Sequence, residues 1–219
     1  MDKVAFEGVN FELTEEQKAL QKLARDFAAK EIIPTAEHYD RTAEFPMEII
    51  KKGQAIGLVN LNIPEEYGGP GAKVLDECIA GEELAYGCSG ISTAMNINGL
   101  ASLPIQIAGT EQQKQYWMGE RMIEQGQLAS YCVTEPGAGS NVAGMQTRAE
   151  KVGGHYVLNG SKTFISNANY ANFYIVFAVT DPHKRHHGLS CFVVERQSPG
   201  IKVLRLPRPL VPLPCSRPC

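Results

Sequence analysis

YCVTEPGAGSNVAG, residues 131–144, is the stretch from which the rest of the chain can be read. Residues 128–133 are apolar and partly β-favouring, as a buried strand should be. Thr134, Glu135 and Pro136 stop that strand, because proline has no N–H for a ladder. Gly137, Ala138 and Gly139 follow, so the backbone is free to adopt left-handed angles and to approach a ligand closely. Ser140 adds a hydroxyl, and a loop of this kind can turn several N–H groups towards one anion. The glycines at 137, 139 and 144 miss the G-x-G-x-x-G spacing of dinucleotide folds, and no G-K-[ST] closes a Walker loop. The residues alone therefore leave two readings open, a surface turn and a phosphate-holding loop.

Working outward, the periodicity differs on the two sides of this stretch. Upstream it is helical. Thr14 and Gln17 form a capping box, and Leu20, Leu23, Ala24 and Phe27 follow on one apolar face. Pro34 is expected to end that helix. A second helix is predicted from Pro46 towards Gly57, then an irregular loop over 63–71. Residues 74–85 read as a helix with Leu75, Ile79 and Leu84 on its apolar side and a solvated Glu82–Glu83 pair near its end. Residues 89–107 read as a buried helix or two, broken near Pro104. Thr110 and Gln113 repeat the capping box, and Gly126 is a C-terminal stop.

Downstream, short strands are predicted over 128–133, 146–151, 155–158, 162–165, 173–179, 189–195 and 201–203. Gly153-Gly154 and Asn159-Gly160 read as tight turns. The expected fold is α+β: a helical domain over 1–125, then an antiparallel β-sheet or barrel domain over 126–203. Residues 204–219 contain Pro207, Pro209, Pro212, Pro214 and Pro218 and no acid, and are expected to be a disordered tail.

Bulk properties limit the functional classes. The chain has 219 residues, 43% hydrophobic and 21% charged, which is ordinary globular composition. A net charge of −3 with interspersed signs gives no footprint for nucleic acid or an anionic membrane. No apolar run is long enough to span a bilayer. The six cysteines form no C-x-x-C pair, which argues against zinc and for a reducing compartment. Cys132 and Cys191 are expected to be buried in strands. His183, His186 and His187 share one polar loop that reads as solvated. The N-terminus shows no targeting pattern.

The string YCVTEPGAGS resembles the flavin loop of the acyl-CoA dehydrogenases, most closely the medium-chain members. KEIIP (30–34), IPEEYGGPG (63–71), EELAYGCSG (82–90) and LNGSKTFISNA (158–168) agree in the same order. The resemblance runs from about residue 11 to 203. It implies FAD as cofactor, an acyl-CoA thioester as substrate, and α,β-dehydrogenation in fatty acid β-oxidation. It further implies an electron-transfer flavoprotein as redox partner, a homo-oligomer, and a mitochondrial matrix or bacterial cytoplasmic setting. No nucleic acid or membrane partner is implied.

Carried over residue by residue, the resemblance places Tyr131, Cys132, Val133 and Thr134 along the flavin ring. Gly139 and Ser140 meet the pyrophosphate, and Ser140 also faces the CoA side. Phe164 matches an aromatic position that packs on the flavin, Ile165 follows it, and Ser166 matches a hydroxyl that reaches the ring. Read without the resemblance, Phe164 is core packing on a strand. Asn141 stands where the family often has an aspartate. The family's catalytic glutamate and its four-helix C-terminal domain match nothing here, so a truncated, inactive form is expected, with no catalytic residue of its own. Glu135 reads as a structural cap of the turn. Two other functions fit the same residues: a non-catalytic interaction protein that keeps the flavin loop, and an acyl-CoA or nitroalkane oxidase-type relative.

Overall fold

The computed structural model describes residues 12–204. The predicted tail lies, from residue 205 on, outside the described residues.

Thr14 opens α1 (Glu15–Phe27) with the predicted reciprocal box: Gln17 N–H donates to Thr14 Oγ1, and Thr14 N–H donates to Gln17 Oε1. Ala24 and Phe27 are buried in the helical core, whereas Leu23 lies on the exposed side. Pro34 does not end the helical run. A π-helical turn (Ala28–Ile32) intervenes, and Pro34 sits in the first turn of α2 (Ile33–Thr42). A first-turn position tolerates proline because its missing N–H would have no intrahelical partner. The π-turn resets the ladder so that such a position exists here. Then come α3 (Met47–Ala55), a 3₁₀ turn (Glu65–Tyr67) inside the predicted irregular loop, and α4 (Val74–Gly87).

Two expectations for α4 fail. Leu75 is exposed, and Glu83 is buried and paired with Arg25 of α1 rather than solvated. A carboxylate taken out of water needs such a partner. Arg25 also lies over the Tyr86 ring, 4.3 Å from its centroid.

The apolar run over 89–107 is one helix, α5 (Ser89–Ala108), and continues through Pro104. The carbonyl that proline deprives of a partner belongs to Leu100, on the exposed side of the helix, where water can satisfy it. Leu100, Leu103 and Ile107 form an exposed apolar stripe there, Ile107 being 83% exposed. α6 (Glu111–Lys114) starts at the second capping box and runs into a π-helix (Gln115–Glu124). Gly126 then turns the chain at φ 61°.

Among the described residues the helical segment is followed by one five-stranded sheet: β1 (Ala129–Cys132), β2 (Arg148–Val152), β3 (His155–Asn159), β4 (Phe173–Val179) and β5 (Leu189–Glu195). The sheet is mixed, not antiparallel. β4 is central and pairs antiparallel with β5 over its full length. Its other edge pairs in parallel with β1 (Ala129 opposite Phe173) and, at Val179, with β2. β2 and β3 form the predicted hairpin around Gly153. Residues 162–165 and 201–203 are not strands. Asn159-Gly160 is not a tight turn either. Glycine is required at 160 because a Cβ there would fall 2.3 Å from Thr147 Oγ1.

A small polar network joins helices to sheet. Asn98 of α5 donates through Nδ2 to Asn60 Oδ1 and to the Gln127 carbonyl, both at 3.0 Å. Its Oδ1 accepts the Ala129 N–H at 2.8 Å, at the first residue of β1. Trp117 packs against Phe173 at the same junction, with ring centroids 4.8 Å apart. Among the described residues no helix is long and apolar enough to cross a membrane.

Candidate functional site

β1 delivers residues 131–134 to the edge of the sheet domain, and the chain then reverses in a tight turn. Glu135 N–H donates to the Ala138 carbonyl and Ala138 N–H to the Glu135 carbonyl, at 3.0 and 3.1 Å. Gly137 and Gly139 do not use left-handed angles. What they give is space, since a Cβ at either would meet nothing within 4 Å. Gly139 and Ser140 are exposed, and among the described residues their amides donate to no protein acceptor.

Glu135 caps this turn as expected. Its buried carboxylate accepts the amides of Gln146 (2.6 Å) and Thr147 (3.0 Å) and the Lys162 ammonium (2.8 Å). Burial alone would raise its pKa, but Lys162 and those donors hold it down at about 2. The carboxylate is therefore anionic and fully engaged.

Residues 162–165 form an irregular, bent segment beside the end of β1 and lead into a turn over 166–170. Thr163 N–H donates to the Thr134 carbonyl (2.9 Å), Lys162 Nζ to the Val133 carbonyl (3.0 Å), and Ser130 Oγ to the Ser166 carbonyl (2.8 Å). Asn167 Nδ2 donates to the Ala94 carbonyl of α5 at 2.8 Å and anchors the turn to the helices. The structure thus brings residues 131–134 and 164–166 side by side. Gly139 and Ser140 lie on the far limb of the 135–138 turn, and no hydrogen bond joins them to 164–166 among the described residues.

The side chains divide sharply. Cys132 is buried, and burial pushes its thiol up to about 12, so it is a neutral core group. Ile165 packs on the cluster of Cys132, Ala171 and Tyr174. The Tyr131 ring is half-buried, edge-on to Phe177 at 5.4 Å. Val133 and Thr134 are half-buried and Ser166 is exposed. Phe164 is not core packing: its ring is 81% exposed and its φ is +55°. Positive φ is a genuine outlier for a bulky residue. Cys191 is exposed, contrary to expectation. The His186 and His187 rings meet at 4.1 Å, tilted by 44°, in an exposed 3₁₀ segment (Pro182–Gly188).

Sequence reasoning passed over Lys162. Its signal was a single charge, three residues after the end of β3, inside the otherwise uncharged block 158–168, which is where a buried counter-charge would be sought. Asn98 and Asn167 were passed over too. Asn98 was detectable as an amide in the middle of an apolar helix.

Residues 14–124 match the N-terminal domain of acyl-CoA dehydrogenases, and residues 130–212 match the middle domain. A probable mitochondrial medium-chain specific acyl-CoA dehydrogenase of Caenorhabditis briggsae is 40% identical over 196 residues, which are 88% of this chain and 48% of that protein. The glutaryl-CoA dehydrogenase–glutaryl-CoA complex superposes with a TM-score of 0.86 at 38% identity, over 91% of this chain and 51% of the other. Butyryl-CoA dehydrogenase of Megasphaera elsdenii gives 0.82 at 37%, over 88% and 51%. A chain from a structure titled for the electron transferring flavoprotein of Acidaminococcus fermentans gives 0.82 at 38%, over 88% and 50%. The chain spans about half the length of the relatives it matches.

Proposed function

The chain belongs to the acyl-CoA dehydrogenase family, a family of FAD-dependent oxidoreductases, and from that premise we propose that its exposed loop edge is one half of an FAD and acyl-CoA site for α,β-dehydrogenation. FAD, when bound, supplies the acceptor for the hydrogen that leaves the β-carbon.

The observation that carries this reading is Phe164. A bulky side chain held at φ +55° with its ring 81% exposed costs conformational energy and buries little. An aromatic face held out in this way is free to stack on a flat ligand. The surroundings fit a flavin. Among the described residues the amides of Gly139 and Ser140 have no protein acceptor, which suits phosphate oxygens. The open space over Gly137 and Gly139 leaves room for a ligand to approach the backbone. Thr134 and Ser166 supply hydroxyls at the ends of the two segments that Thr163 N–H joins.

In this proposal each residue has a limited task. The strand end at 131–134 presents backbone and the Thr134 hydroxyl to the ring edge. Phe164 covers one face of the ring and keeps water from it. Gly139 and Ser140 hold the pyrophosphate, and Ser140 borders the CoA side. The base that takes the α-proton is not Glu135, whose carboxylate is saturated and whose pKa of about 2 makes it a poor proton acceptor. In this proposal that base belongs to the half of the relatives that this chain does not match.

The test is an assay with octanoyl-CoA, added FAD and an artificial electron acceptor. Without the base the expected rate is lower than that of a full-length relative by at least ~10²–10⁴-fold. A rate equal to that of such a relative would show that this chain carries a base of its own.

A further inference from the structure

We infer that Lys162 is the positioning residue that locks the two cofactor segments into one cradle, with Glu135 as its buried counter-charge. The inference rests on the site reading above and deepens it.

The ammonium sits where three pieces of chain meet. Its side chain is 10% exposed and that of Glu135 is 5% exposed. From there Nζ donates to the Val133 carbonyl at the end of β1 and to Glu135 Oε1 in the reversing turn. The backbone of the next residue, Thr163, donates to Thr134, so one dipeptide grips both sides of the strand end. Glu135 passes the constraint on, because its two oxygens also take the amides of Gln146 and Thr147 at the approach to β2. Phe164 lies two residues beyond Lys162. Its backbone is held between the Thr163 bond to Thr134 and the Ser130 bond to Ser166.

Among the described residues the pair is faced by the Val133 carbonyl, the Gln146 and Thr147 amides and the Cys132 thiol. Cys132 is the titratable neighbour, and its thiol is kept neutral by burial. A buried ion pair contributes little net stability against well-packed apolar groups, but removing one partner leaves an uncompensated charge. The role that remains for Lys162 is geometric. Binding constellations need supporting groups that hold them within a fraction of an ångström.

Positioning and bulk stabilisation give different outcomes. Amide hydrogen exchange on the full chain compares wild type with Lys162→Met, Lys162→Arg and the double variant Lys162→Met/Glu135→Gln, alongside FAD titration by flavin fluorescence. In Lys162→Met the amides of Glu135, Ala138, Gln146, Thr147 and Thr163 should exchange at least about tenfold faster, with those inside β4 and α5 unchanged. Lys162→Arg should keep most of the protection. The double variant removes the stranded charge and should recover part of the melting temperature lost in Lys162→Met, yet keep fast exchange at Thr163 and weakened FAD quenching. If Lys162→Met does not fold, the double variant answers the same question. Acceleration spread evenly over the chain, or unchanged exchange at the five amides, would overturn the inference. Absence of FAD quenching by wild type would instead overturn the cofactor reading, while the exchange pattern would still decide the role of Lys162.

Discussion

Replacing Asn98 by alanine should uncouple the helices from the sheet. Asn98 is 1% exposed and makes three hydrogen bonds, to Asn60, Gln127 and Ala129. Its removal strands the Ala129 N–H, on a residue with no exposure, and the Oδ1 of buried Asn60. Each buried group left unsatisfied costs about 1–3 kcal/mol, so the two together cost about 2–6 kcal/mol. The Gln127 carbonyl is less costly, because its residue is half-buried and water can reach it. Against a domain stability of about 5–15 kcal/mol this is a large share. Urea unfolding followed by Trp117, the one tryptophan in the chain, reads the junction where the loss occurs. The midpoint should fall with the slope unchanged. A loss under about 1 kcal/mol, with the Ala129 amide still protected from exchange, would refute the reasoning.

Three further outcomes are expected. Gly160→Ala should cost about 1–3 kcal/mol in a thermal melt through its collision with Thr147, and an unchanged melt would contradict the close approach. Phe164→Ala should change stability by no more than about 0.5 kcal/mol, because the ring is exposed, yet weaken FAD quenching; equal quenching would remove the main support for the site. Glu135 has a folded pKa depressed from 4.5 to about 2, so its contribution to stability is complete above pH 4.5 and is lost as pH falls through about 2. Glu135→Gln should flatten the stability curve between those values, and parallel acid limbs for the two proteins would argue against the pairing.

Much of the helical half was legible because its signals are local. The boxes at Thr14–Gln17 and Thr110–Gln113 need only residues three apart, and both form. Pro34 and Pro104 misled because a proline rule is also local, while a π-turn and an exposed carbonyl that relieve it are not. The Arg25–Glu83 pair spans 58 residues and leaves no pattern in either helix. The direction of β1 was hidden for the same reason. Its parallel partner begins at Phe173, and tight-turn pairs such as Gly153-Gly154 suggested hairpins throughout. At the site, Phe164 followed an apolar rhythm that looked like a strand. The bonds that bend its backbone out of one come from Thr134 and Ser130, more than twenty-five residues earlier.

The central claim is that the edge formed by residues 131–140 and 164–166 is an FAD half-site. Fluorescence titration of FAD with the purified chain tests it most directly. A half-site offers few contacts against the lost freedom of the ligand, so saturable but weak quenching is expected, at micromolar dissociation constants or above, and reduced in Phe164→Ala. Stoichiometric FAD retained through gel filtration would contradict the half-site, and quenching that never saturates or ignores Phe164 would contradict the site itself.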